Sequence, residues 1–262
     1  MRRALSSLAA SGLAACALLG SGSARADVYG DAVAHAGRPA ADLERDATDH
    51  PAQVLRLAGI RPGMSVADFL AADGYYSELL SYVVGPQGHV YLLNNAAWDK
   101  WVDNQWQERL LRLPNVEHRT IDVQHLGLPP RSLDAIVLVK VYHDLYWQPK
   151  EGPWPKIDPD AVLTELARVV KPGGILLLVD HTAKPGTGST AAGTLHRIDE
   201  EFARRDFEKH GFVLVARSEV LRRPDDPRDM ITFRGEMVGK TDRFVMVFHR
   251  SAGRTTRARR RR

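Results

Sequence analysis

Cysteine is almost absent: 262 residues contain one, Cys16. A single thiol cannot build a disulfide framework or a cysteine-ligated zinc centre. No Gly-x-Ser-x-Gly elbow, phosphate-binding P-loop or Gly-x-Gly-x-x-Gly fingerprint occurs, which argues against a serine hydrolase, a P-loop nucleotidase and a dinucleotide dehydrogenase. The ten histidines are scattered, and none forms a His-x-x-x-His pair with a glutamate, so no metal is expected. The apolar run at 4–19 is too short, and too diluted by Ser and Gly, for a good membrane span. What is present is ordinary for a folded chain: 44% hydrophobic, 26% charged, 21 Gly and 15 Pro.

The net charge of +4 would suggest a nucleic-acid partner, but it sits at the two ends. Arg2, Arg3 and Arg25 lie in the first 26 residues, which hold no acid, and six arginines lie in the last ten; without them the body carries −5. No specific nucleic-acid binding is expected. Residues 1–26 read as an export signal: a positive start, an apolar stretch, and an Ala24-Arg25-Ala26 cleavage site. That predicts an exported, periplasmic protein. Leu13-Ala14-Ala15-Cys16 offers the alternative of a lipobox, with the chain anchored through a lipidated Cys16. Residues 251–262 read as a disordered basic tail, able at most to make weak contact with an anionic membrane surface.

Between these ends, residues 27–50 are polar with little apolar periodicity and read as an extended arm. Residues 51–250 read as one domain. Short helices are expected over 51–58, 76–84, 98–113, 159–170 and 199–210, with Asp158 as an N-cap before Pro159. Strands are expected over 66–70, 89–93, 116–121, 135–141, 175–179, 212–218 and 243–248, several of them continuous apolar runs. Such strands alternating with helices imply an α/β fold: a doubly wound, mostly parallel sheet covered on both faces.

Several segments together resemble the class I S-adenosylmethionine-dependent methyltransferases, and within them a group of exported bacterial members. They are Arg61-Pro62-Gly63-Met64 entering Val66-Ala67-Asp68, Gly74-Tyr75-Tyr76-Ser77-Glu78, Tyr142-His143-Asp144-Leu145-Tyr146-Trp147, Val179-Asp180-His181, Leu195-His196-Arg197-Ile198-Asp199 and Gly239-Lys240-Thr241-Asp242-Arg243. The resemblance implies a Rossmann-like sheet with one antiparallel strand near the C-terminus. It also implies S-adenosylmethionine as cofactor and a small-molecule methyl acceptor. Ligands of such sheets bind outside the carboxyl ends of the strands. On this alignment Asp68, Gly74, Asn94 and Asp122 surround the cofactor, Asp122 being equally readable as a strand-end turn.

Two departures stand out. The family's Gly-x-Gly-x-Gly loop is here Leu70-Ala71-Ala72-Asp73-Gly74, so Leu70 and Ala72 replace glycines that let the backbone approach a ligand. The acidic residue that ends the family's second strand is here Asn94-Asn95, which accepts a hydrogen bond without charge assistance. At the end of the fourth strand His143 is a candidate general base with Asp144 orienting it; the alternative is that Asp144 caps the next helix and His143 packs. Tyr142, Trp147 and His181 are candidates for the acceptor pocket, with Trp147 and Trp154 either capping it or packing a Pro-rich loop. His196, Arg197, Lys240 and Arg243 read as salt-bridged surface groups or as anion ligands. The functional expectation is a methyltransferase; the alternative is a catalytically inactive binding protein that kept the fold and lost the cofactor site.

Overall fold

The computed structural model describes residues 27–252. The export signal, Cys16 and the arginines from Arg254 onward lie outside the described residues. No helix among those described is long and apolar enough to cross a membrane.

Seven strands form one sheet: β1 (Ser65–Phe69), β2 (His89–Asn94), β3 (Val116–Thr120), β4 (Leu133–Val139), β5 (Val170–His181), β6 (Phe212–Ser218) and β7 (Arg243–Arg250). Their order is β3-β2-β1-β4-β5-β7-β6. All neighbours pair in parallel except at β7, which runs antiparallel to both β5 and β6. The expected doubly wound sheet with one antiparallel strand is therefore present.

The continuous apolar strands are explained by two cores. Along β5, Leu176 and Leu178 face one core while Ile175, Leu177 and Val179 face the other. Period-two alternation buries both sets only because helices cover both faces. The first core packs beneath α7 (Pro159–Val169) and α9 (Glu200–Lys209), through Val162, Leu163, Leu166 and Phe207. The second packs beneath α3 (Pro51–Ala58) and α4 (Tyr75–Val84), through Val54, Leu55, Leu79 and Leu80. Caps fix two of these helices in register. Asp158 accepts from the amides of Asp160 and Ala161, and Asp199 from those of Glu201 and Phe202.

Three local expectations are corrected. Residues 27–50 are not extended: they form α1 (Val28–Val33) and α2 (Ala40–Asp49). The buried face of α2 is charged, with Asp42 and Asp49 inside, so it carries no apolar periodicity to read. The helix expected over 98–113 is broken into α5 (Ala96–Trp101) and α6 (Trp106–Leu110), because Asp103 and Asn104 adopt left-handed backbone between them. Residues 171–174, expected as a helix stop before a strand at 175, do follow the end of α7 at Val169 but already belong to β5, which starts at Val170.

Candidate active site

A cavity of about 570 Å³ opens at the carboxyl ends of β1, β4 and β5, where a doubly wound sheet holds its ligands. The loop after β1 forms one wall through Leu70, Ala71, Ala72 and Asp73. Leu70 and Ala72 have φ of +53° and +55°, and Gly74 has +87°. The backbone thus takes, at both substituted positions, the left-handed conformation that glycine ordinarily supplies. The Leu70 side chain does not fill the cavity but is buried in the first core at 1% exposure.

Asn94, at the end of β2, explains how the loop holds this shape. Its amide oxygen accepts from the Ala72 N–H at 3.0 Å, and its amide nitrogen donates to the Ala72 carbonyl at 2.9 Å and to Asp99 at 2.9 Å. Asn94 is fully buried and does not line the cavity, so its side chain is engaged with the loop rather than with a ligand. Arg109 adds a second hold. It donates to the Asp73 carbonyl and to the Asp73 carboxylate, both at 2.9 Å, and also pairs with Asp42 and Glu78. The negative charge of Asp73 is thereby matched. Gly74, the N-cap of α4, lies behind the loop, where an added Cβ would come within 2.7 Å of Leu92.

Asp68 does line the cavity. Burial pushes its carboxyl up to about 7, against the opposing hydrogen bond from Ser77 at 2.8 Å. Asp122 is elsewhere: it is exposed, outside the cavity, and caps its own turn by accepting from the Gln124 N–H at 2.9 Å. Of the four residues expected around the cofactor, the structure brings only Asp68 to the cavity surface.

The opposite wall carries histidines. His143 and Asp144 open a short 3-10 turn, His143–Tyr146, just past β4. Asp180, at the end of β5, grips His143 twice, accepting from its Nδ1 at 2.8 Å and its backbone N–H at 2.9 Å. The orienting group for His143 is therefore Asp180, while Asp144 faces Nε2 at 3.3 Å and also meets His196 Nδ1 at 3.4 Å. Burial works to lower the His143 pKa, but the Asp144 and Asp180 carboxylates outweigh it and raise it to about 9. His181 goes the other way: buried, and surrounded by His143, Lys140 and Arg243, it is held well below the ordinary range and stays neutral. Its Nδ1 meets Thr241 Oγ1 at 2.8 Å.

Trp147 lines the cavity as expected, with its ring against Trp154 and His196. Tyr142 does not. Its hydroxyl donates to Asp206 at 2.6 Å and its ring packs on Phe207, beneath α9. Arg197 and Arg243 are not surface groups either: Arg197 is fully buried on Asp226, and Arg243 is buried on Asp49. The sequence reading missed Arg45, Tyr76 and Lys140, all of which line the cavity. Lys140 alone left a trace, as the one charged residue in an otherwise apolar strand end.

The cavity also holds unmatched donors. Tyr76 Oη, Trp98 Nε1, Trp154 Nε1 and Arg243 Nε are buried without a hydrogen-bond partner among the described residues, and all four side chains line this cavity. Buried polar groups are rarely left so, unless a ligand or water completes them. With the glycine-like loop and the buried Asp68, this donor set fits a nucleoside cofactor with an amino-acid tail.

A family model described as a methyltransferase domain matches residues 71–178, the stretch that runs from this loop through β5. That part of the chain is similar to a methyltransferase domain. It is 28% identical over 134 residues to a ubiquinone/menaquinone biosynthesis C-methyltransferase, UbiE, of Saccharophagus degradans, covering 49% of this chain and 47% of that one. A UbiE of Teredinibacter turnerae is also 28% identical, over 132 residues. The methyltransferase-like chain thus spans about half the length of the relatives it matches. Among solved structures it is similar to a SAM-dependent methyltransferase from Aquifex aeolicus, at TM-score 0.54 and 22% identity over 79% of this chain and 97% of that one. It is similar in fold also to the 4+2 cyclase SpnF, at TM-score 0.55, 16% identity and 82% coverage of each chain. The sheet and its crevice belong to the class I methyltransferase fold.

Proposed function

We propose that this chain is an S-adenosylmethionine-dependent methyltransferase acting on a small, largely apolar acceptor. The observation that carries the reading is one cavity with two unlike walls: a glycine-shaped loop with a buried carboxylate, and a cluster of histidines and carboxylates beneath tryptophans. The bound cofactor would supply an electrophilic methyl group on a sulfonium centre. Asp68, the 70–73 backbone and Trp98 would hold that cofactor.

The acceptor lies toward Trp147, Trp154 and Phe233, which border the His143 side of the cavity. Their flat apolar faces suit a planar ring, and methyl transfer needs chiefly that the acceptor atom be placed in line and relieved of its proton. Asp144 and His196 form the proton-accepting end, with the His143 imidazolium, gripped by Asp180, beside them. Trp101, at the rim, is exposed and extends the apolar surface outward.

Isothermal titration with S-adenosylmethionine and S-adenosylhomocysteine tests the reading. Binding of both, with loss in Ala72→Asp, supports it. If neither binds at millimolar concentration the methyltransferase proposal fails, and the chain is an inactive protein of this fold.

A further inference from the structure

We propose that His143 Nε2, an Asp144 carboxylate oxygen and His196 Nδ1 form a binding site for one divalent first-row transition ion, with the fourth coordination position open to the cavity. The three donor atoms lie within 4.8 Å of one another. Asp144 Oδ1 stands 3.3 Å from His143 Nε2 and 3.4 Å from His196 Nδ1. Bonds of about 2.0–2.1 Å at tetrahedral angles place neighbouring donors about 3.3 Å apart, so both distances to Asp144 already match those of a ligated ion. Two histidines and one carboxylate with an open position make the donor set of a catalytic, rather than structural, zinc site.

Three further observations point the same way. The remaining ring nitrogen of His143 is held by Asp180 at 2.8 Å, the carboxylate–histidine support that orients metal-bound imidazoles. The Asp144 carboxylate is buried, yet accepts no hydrogen bond among the described residues beyond those two imidazole contacts. His196 takes left-handed backbone at φ +52°, and its ring is wedged between Trp147 and Phe233 with Nδ1 aimed at Asp144.

The second cluster of this kind, Asp160, Asp206 and His210, provides a contrast. Asp160 is exposed and paired with Lys209, Asp206 accepts from Tyr142 and Tyr146, and His210 Nδ1 is taken by a backbone carbonyl. Its two carboxylates already meet a lysine and two tyrosines, whereas Asp144 meets only imidazoles. Spacing along the chain could not show the site, since His143 and His196 meet only through the fold. On the methyltransferase reading, an acceptor hydroxyl ligated at the open position would lose its proton more readily, as metal-bound water does. That would take over the proton-accepting role given to Asp144 and His196. The site itself does not depend on that reading.

Chelator-treated full-length protein, titrated with Zn²⁺ by calorimetry and with Co²⁺ by visible absorption, tests the proposal without S-adenosylmethionine. The expected result is one equivalent bound, with tetrahedral-type Co²⁺ bands that Zn²⁺ displaces. Asp180→Asn should weaken binding about 10–100-fold, the range for loss of a supporting carboxylate, and His196→Gln and Asp144→Asn by more. Circular dichroism of each variant checks that it folds; His196, at the cavity edge, is the variant least exposed to misfolding. Uptake well below one equivalent, or equal affinity in wild type and folded His196→Gln, overturns the site. Cofactor binding is measured separately, so failure of the metal site and failure of the methyltransferase reading give different results.

Discussion

Two polar clusters face the same cavity, and they differ in how completely their members are matched. Around Asp49, on α2, Arg45 pairs at 2.7 Å, Lys140 at 2.9 Å, and Arg243 on the other oxygen while also donating to the Thr48 carbonyl. Burial alone would raise the Asp49 carboxyl, but three cations hold it far below its usual range. Around Asp144 the count is reversed: one buried carboxylate meets two imidazoles at long range, and no donor completes it. A saturated network ties elements together, here α2 to β4 and β7. An unsaturated one retains capacity for a ligand. The difference assigns structure to the first cluster and chemistry to the second.

The comparison can be broken most sharply at Asp49. Asp49→Ala would leave three cations facing one another at a buried site, and loss of one partner in such a network costs about 3–5 kcal/mol. Urea unfolding should show it; a loss under about 1 kcal/mol would mean the network is not a clamp. Asp144→Asn should do the converse, leaving stability within about 1 kcal/mol while methyl transfer falls by roughly 100-fold or more, the scale of a lost acid–base group. A parallel loss of stability would place Asp144 with the structural cluster.

Asp68 supplies the pH dependence. Its carboxyl stands at about 7 in the folded chain against an ordinary 3.8, so the unfolded state releases its proton first. Stability should therefore decline as pH rises from about 4 to about 7 and level off above, by at most about 4 kcal/mol. Asp68→Asn should flatten that slope and be the more stable protein at pH 8, though the weaker cofactor binder. Thermal melts at pH 5 and pH 8 check it, and identical slopes in both proteins would count against a buried, ionising Asp68. The smallest effect is expected at Asp122. Asp122→Ala lies outside both clusters and should leave cofactor affinity within about twofold; a tenfold loss by calorimetry would return it to the site.

The sheet was legible because its strands are apolar on both faces and because one of its helices begins at Asp158 with a recognisable cap. Helix α2 was not, because it buries Asp42, whose partner Arg109 lies 67 residues away, and Asp49, whose partners Lys140 and Arg243 lie 91 and 194 away. The same reason governs the site. His143, Asp144, Trp147 and His181 were legible as residues that follow strand ends on the ligand-bearing edge. That Asp180 rather than Asp144 orients His143, that Tyr142 turns beneath α9, and that Asn94 serves the loop are facts of tertiary pairing, with no periodicity or spacing to announce them.

The loop at 70–74 has a consequence for how such chains are recognised. A ligand meets the path of the backbone, whereas a motif search meets letters. Here Leu70 and Ala72 hold φ near +55°, at an expected penalty on the order of 1 kcal/mol each, with Asn94 bracing both polar groups of Ala72. The asparagine that looked like a lost ribose ligand is therefore a splint for one of the two positions where glycine is missing. Loop and strand end together hold a glycine-like path without glycine's letters.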